Sequence, residues 1–183
     1  MPSLRPDRGV RVSEHSITPA RAAGRGFAMN NILAMMTHAL LGVLFILTSI
    51  WFFVEVLNAK PENQGRIRTA ATLAAVLMWL TYLIGGWWYV VHYGPDKAAI
   101  LKGPWPFAHE FFMETKEHVL LMIVLLATYL PIVVAGADLS ANRPARTLAL
   151  WVAGLMVGLG LAMDGAGAII SLGAKLGLSA PPM

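Results

Sequence analysis

The sequence predicts an all-α polytopic membrane protein, a four-helix transmembrane bundle with up-down-up-down topology. Three observations carry this. Of the 183 residues, 57% are hydrophobic and 13% charged, against roughly 45–50% and about 25% in soluble domains. Four runs without Asp, Glu, Lys or Arg, at 39–54, 69–93, 119–137 and 147–163, interrupt the chain. With their flanks they reach the about 20 residues that a helix needs to cross the hydrocarbon core. The connections are mostly short, which makes sequential helices antiparallel neighbours.

The elements follow in order. Segment 1–29 holds Arg5, Arg8, Arg11, Arg21 and Arg25 among Pro, Gly and Ser. Without apolar periodicity it reads as a disordered basic tail lying near anionic headgroups. No globular basic face follows it, so nucleic acid is not the expected partner. No apolar stretch with a small-residue cleavage site precedes Met29, so a signal peptide does not fit. Met29 competes with Met1 as the start. The membrane domain covers 30–175. Its first span, 30–58, opens at Asn30 and Asn31, which can cap a helix. A polar turn at Lys60-Pro61-Glu62-Asn63 leads to the second span, 66–93, which Gly94-Pro95 is expected to stop. Gly103-Pro104-Trp105-Pro106 stiffens the longest connection. The third span, 108–136, carries Pro131, where a kink is expected. The fourth span is 145–173, and 176–183 forms a short C-terminal tail.

This topology puts both termini and the 96–107 connection on one side, A, and the two short loops on the other, B. Side A carries the five tail arginines with Lys97, Lys102, Lys116 and Lys175. Side B carries Lys60, Arg66, Arg68, Arg143 and Arg146. The excess on A makes it the expected cytoplasmic side of a bacterial inner (plasma) membrane.

The absence of cysteine excludes disulfides, thiolate metal sites, thiol catalysis and covalently attached c-type haem. There is no H-E-x-x-H motif and no serine nucleophile beside a base, so hydrolysis is not expected.

Ionisable residues inside a span are functional candidates by default. At 1.5 Å per residue, His38 and His118 each lie roughly 28 Å from side B, and Asp164 roughly 25 Å. Three helices thus bring a His, a His and an Asp to one level in the A-side half. Glu110, Glu114 and His118 recur at four-residue spacing and share a helix face. Glu117 lies one step round. His92 and His109 sit at helix ends on the same side, where water competes. On side B, Glu55 is within reach of Arg66 or Arg68, and a structural ion pair accounts for it.

Three readings of the A-side cluster stand open. In the first, His38 and His118, on diagonal helices at equal depth, hold haem b. Gly42 and Gly85-Gly86 leave room for a flat ring, and Glu114 or Asp164 orients an imidazole. In the second, Glu114 and His118, an i, i+4 pair, join His38 and Asp164 around a non-haem ion such as Zn, Fe or Mn. In the third, the residues are solvated at the boundary and no cofactor binds. Met35, Met36, Met122 and Met163 near this level fit packing better than copper. Gly154, Gly158 and Gly160 include a G-x-x-x-G step, which implies close helix packing within the bundle or against another subunit.

One histidine in the first helix and one in the third resembles small four-helix b-type membrane cytochromes. Asp164-Gly165-Ala166-Gly167-Ala168 is similar to glycine-rich helices of small bacterial membrane families. The cytochrome resemblance implies haem b and one-electron transfer, with a quinone or another membrane subunit as partner. The expected function is therefore an electron-transfer or accessory subunit of a redox system rather than a stand-alone enzyme. The alternatives are a cofactor-free structural subunit of a larger complex, or a small metal or proton transporter.

Overall fold

The structure, a computed structural model, describes residues 18–179, with side chains from Met29 onward. It consists of α1 (Thr18–Leu57), α2 (Gln64–Lys102), α3 (Glu114–Gly136) and α4 (Arg143–Ser179). A 3-10 turn, Pro61–Asn63, precedes α2, and a π-helical segment, Ala108–Met113, leads into α3. No strand occurs among the described residues. All four helices are long and apolar enough to cross a membrane.

Contacts fix the arrangement. The Asn31–Trp88 and His38–Thr81 hydrogen bonds set α1 antiparallel to α2. Trp79–Thr128 and Arg68–Val134 do the same for α2 and α3. Gly160 lies against Ile46 and Gly173 against Ala108, so α4 returns beside α1 and the start of the third helix. One diagonal, α2 with α4, closes at the A end, where the backbones of Gly103 and Gly177 touch.

Three boundaries differ from the sequence reading. First, α1 starts at Thr18, inside the stretch read as a disordered tail. The remainder of that tail, with Arg5, Arg8 and Arg11, lies outside the described residues, as do residues 180–183. Second, α2 does not stop at Gly94-Pro95 but continues to Lys102. Proline in a helix interior forfeits one ladder bond and costs about 3 kcal/mol. Tertiary packing outweighs this. Tyr93 and Ile100, on either side of the proline, are both buried against Ile170 and Ala174 of α4. Third, α4 runs to Ser179, past the expected end of the span and into the stretch read as the C-terminal tail.

The B end is held by side chains that satisfy helix termini. The free carbonyls of a helix C-terminus favour a cation. Arg68 Nε donates to Val134 O at 3.3 Å, and an Arg146 guanidinium nitrogen donates to Leu57 O. Asn142 Oδ1 accepts from Ala145 N at 3.0 Å and caps α4. Glu55 pairs with Arg66 at 2.8 Å and accepts from Asn63 Nδ2 at 2.8 Å, the structural ion pair expected from the sequence. In the α3–α4 loop the Ser140 hydroxyl and N–H both donate to Asp138 and hold its carboxyl below the usual range.

The core runs along the bundle axis through Phe45, Phe52, Met78, Ile123, Leu130 and Met156. Ala70, Ala71 and Ala74 are fully buried and let α2 approach its neighbours closely. The exterior is equally apolar: Val90 is 82% exposed and Trp151 70%, and Leu40, Leu83, Leu125 and Ile132 are exposed as well. The G-x-x-x-G step does not serve the bundle. A Cβ on Gly154 or Gly158 would meet nothing, whereas one on Gly160 would lie 3.0 Å from Ile46 Cγ1. Gly160 is thus the glycine that packs inward, and the Gly154–Gly158 face looks outward.

Candidate functional site

His38 sits on α1 one turn before Gly42, facing α2. Its Nδ1 donates to Thr81 O at 2.9 Å. A carbonyl can only accept, so Nδ1 carries a proton, and in the neutral ring Nε2 keeps its lone pair. The ring fits because Gly85 has no side chain: a Cβ there would lie 2.5 Å from His38 Cε1 and Nδ1. His38 lines a cavity of about 30 Å³ together with Lys116 of α3 and Asp164 of α4. That volume admits a water molecule or two.

Gly85 makes room for His38 and Gly167 for Lys116, while Gly42 lies beside Asp164 at ordinary contact distance. A Cβ on Gly42 would lie 3.5 Å from Asp164 Oδ1, and one on Gly167 would lie 2.9 Å from Lys116 Nζ. Lys116 and Asp164 are within electrostatic range of His38 and of each other. Among the described residues neither closes a direct ion pair. Phe45, Ile46, Met78 and Ile123 form the apolar remainder of the wall. Three ionisable groups from three helices therefore line one small, mostly apolar cavity, His38 and Lys116 half-buried and Asp164 also exposed on the outside of the bundle.

The residues singled out from the sequence divide into two groups. His38 and Asp164, expected at one depth, line the same cavity. His118 and Glu114 do not join them. His118 is exposed, and its Nδ1 donates to Glu114 O of its own helix at 2.7 Å. Glu110, Glu114 and Glu117 are likewise exposed. The face shared by Glu110, Glu114 and His118 points away from the core. Among the described residues no three His, Asp or Glu side chains converge as a metal-binding group. Lys116, which the sequence reading counted only as a side-A charge, is the residue that α3 sends into the chamber.

A second polar centre lies nearer the A end. The Tyr93 hydroxyl and His109 Nδ1 are 3.0 Å apart, both side chains buried. His109 Nε2 is 3.8 Å from Glu114 Oε1. Tyr89 stacks on Tyr93 at 5.1 Å, and His92 meets Trp87 edge-on at 5.2 Å. His92 and His109 are only 5% and 3% exposed, the reverse of the wet helix ends expected for them. Two backbone features bring this about. The continuation of α2 past Pro95 makes His92 an interior residue of its helix. The π segment, wound by i→i+5 bonds, turns His109 and Met113 inward together. Of its first three N–H groups, that of Ala108 donates to Trp105 O and those of His109 and Glu110 both donate to Pro106 O. No residue spacing announces a π segment, so the sequence offered no signal for this centre.

Comparison with protein-family models, with curated proteins and with solved structures finds no match to the chain. The functional reading therefore rests on this geometry.

Proposed function

We propose that the chain is an integral membrane protein with four transmembrane spans that binds and passes on protons through its bundle core, with His38, Lys116 and Asp164 as the exchanging site. The observation that carries this is the shared chamber. An ionisable group in a span is costly unless it is paired or used, and here three converge without a direct ion pair between Lys116 and Asp164. Opposite charges on Lys116 and Asp164 leave the chamber near neutral. His38 Nε2 is then the group able to gain or lose a proton, while Nδ1 stays anchored on Thr81 O. A water in the chamber would link the three groups as donor and acceptor. The Tyr93–His109 hydrogen bond, with the Glu114 carboxylate 3.8 Å from the ring, lies nearer the A end and offers exchangeable protons towards that face.

The membrane reading draws on the apolar exterior, which lipid contact requires and water would not tolerate. In the orientation we propose, both termini are cytoplasmic. Arg66, Arg68 and Arg146 on side B are engaged by Glu55, Val134 O and Leu57 O. With Lys116 inside the bundle, the tail arginines with Lys97, Lys102 and Lys175 still outnumber the five basic residues of side B, which favours A as the cytoplasmic side.

The test is proton flux into liposomes carrying a pH-sensitive dye, driven by an imposed membrane potential. Wild type is expected to conduct above empty liposomes. Lys116→Met and Asp164→Asn are expected to fall to the empty-liposome rate, and His118→Ala to keep wild-type flux. Equal rates for wild type and Asp164→Asn would reject the site.

The redox-subunit reading, with haem b between His38 and His118 and a quinone or partner subunit, requires His118 to leave Glu114 O and turn inward. Its support is the common depth of the two histidines on α1 and α3. The visible spectrum of the same purified protein, oxidised and then reduced, decides it. A Soret band lost in both His38→Ala and His118→Ala would establish the haem, and a colourless protein from haem-replete cells would exclude it.

A further inference from the structure

A cleft of about 380 Å³ opens between α1, α2 and α4 at the A end. It is separate from the His38 chamber and shares no lining residue with it. The volume lies within the range of small-ligand sites. Met35, Trp88, Tyr93 and Ile170 give it apolar walls, and Ser171 adds a hydroxyl. Asp96 of α2 and Lys175 of α4 also line it. Among the described residues neither of these side chains has an ion-pair partner. Among the described residues the cleft thus offers one acidic and one basic side chain without an ion-pair partner, and an apolar wall.

Depth narrows the ligand. Asp96 lies roughly 45 Å along α2 from Arg66, and Lys175 roughly 43 Å along α4 from Arg146, at 1.5 Å per residue. The hydrocarbon core is about 30 Å thick and the bilayer with its headgroups about 40–45 Å. Both charges fall at the headgroup level of side A, with the apolar wall running inward from them.

We propose that this cleft binds a zwitterionic phospholipid with a primary ammonium headgroup, of the phosphatidylethanolamine class. The ammonium donates to the Asp96 carboxylate and the phosphate accepts from Lys175 Nζ. Both are charge-assisted bonds, which are short and strong. The proximal acyl chain lies on Met35 and Ile170. An anionic lipid satisfies Lys175 and is repelled by Asp96. A choline headgroup has no N–H to donate. A neutral quinone leaves both charges without a counter-charge. The proposal rests on the membrane placement given above, but not on the proton chemistry.

The experiment uses the full-length protein, delipidated in mild detergent and offered matched amounts of phosphatidylethanolamine, phosphatidylcholine, phosphatidylglycerol and ubiquinone, with retention read by native mass spectrometry. Wild type is expected to retain the ethanolamine lipid about tenfold over either other lipid, the lower end of the preference that one charge-assisted hydrogen bond supplies. Asp96→Asn should abolish the preference over phosphatidylcholine. Lys175→Gln should weaken retention of both phosphate-bearing competitors and the ethanolamine lipid. Both substitutions are near-isosteric and lie on a cleft wall, and circular dichroism checks that each variant keeps its helix content. Equal retention of all three lipids by wild type overturns the proposal. So does a preference that survives both substitutions, or preferential retention of ubiquinone. Normal insertion and flux with no lipid preference would remove the cleft proposal alone, whereas a chain that fails to enter membranes would remove the membrane reading with it.

Discussion

Gly173→Ala is expected to lower the stability of the bundle by about 1–3 kcal/mol, the usual cost of overpacking. Alanine is otherwise the better helix former, by about 1 kcal/mol, so a loss of this size must come from contact. The contact is specific. A Cβ on Gly173 would lie 2.7 Å from Ala108 Cβ, with Trp105 O and Ile100 Cγ1 at 3.8 Å. Ala108 is the first residue of the π segment and is fully buried, so it has no rotamer by which to retreat. Relief requires the segment 105–113 to move off α4, carrying His109 away from Tyr93. The expected signature is faster amide exchange from Trp105 to Met113 with little change near Phe52 or Leu130. Ala108→Gly in the same chain removes the opposing methyl and should recover part of the loss. Full-length protein in detergent, unfolded reversibly, provides the measurement. A Gly173→Ala variant as stable as wild type would mean that α4 and the π segment are not held in this register.

Helix number and approximate placement followed from composition and uncharged runs, because four stretches that cannot be hydrated leave little choice. The Glu55–Arg66 pair followed from proximity across a short turn. Which face of α3 turns inward did not follow. Two residues differ by about 200° on a helix, so choosing His118 amounts to pointing Lys116 outward, and the structure does the reverse. A signal was present. Ile123, Ala127, Leu130 and Val134 form the buried stripe of α3, and stepping back along the same repeat passes Leu120 and reaches Lys116. It could not be read because α3 is apolar on all sides. A helix that is hydrophobic all round has no moment to mark its inner face. The error at Gly94-Pro95 has a different origin. Local punctuation was given full weight, while the burial of Tyr93 and Ile100 against α4 is a long-range fact that no window of sequence contains. That Gly85 removes bulk at the right level is visible in the sequence. That it faces His38 in particular required the α1–α2 register.

Gly85→Ala is the sharpest test of the site, because its sign should reverse with the background. In the wild-type chain the new methyl would lie 2.5 Å from His38 Cε1 and Nδ1. A single-bond rotation of the rigid ring cannot keep Nδ1 on Thr81 O and also clear that position. His38 must therefore give up its hydrogen bond or force α1 and α2 apart. Overpacking of this kind costs about 1–3 kcal/mol, and giving up the part-buried hydrogen bond instead costs a similar amount. With His38→Ala already in place, the clash partner is gone and the methyl enters vacated space. There Gly85→Ala should be neutral or stabilising by up to about 1 kcal/mol, the ordinary helix preference of alanine over glycine. The two changes should thus show a coupling of about 1–3 kcal/mol, in the range found for residues in direct contact. Proton flux should be lost in Gly85→Ala even where the protein still inserts and folds, because the imidazole no longer sits in the chamber with Lys116 and Asp164. If Gly85→Ala destabilises both backgrounds equally, the glycine serves helix approach rather than the histidine, and the chamber loses the contact that positions its proton-accepting ring.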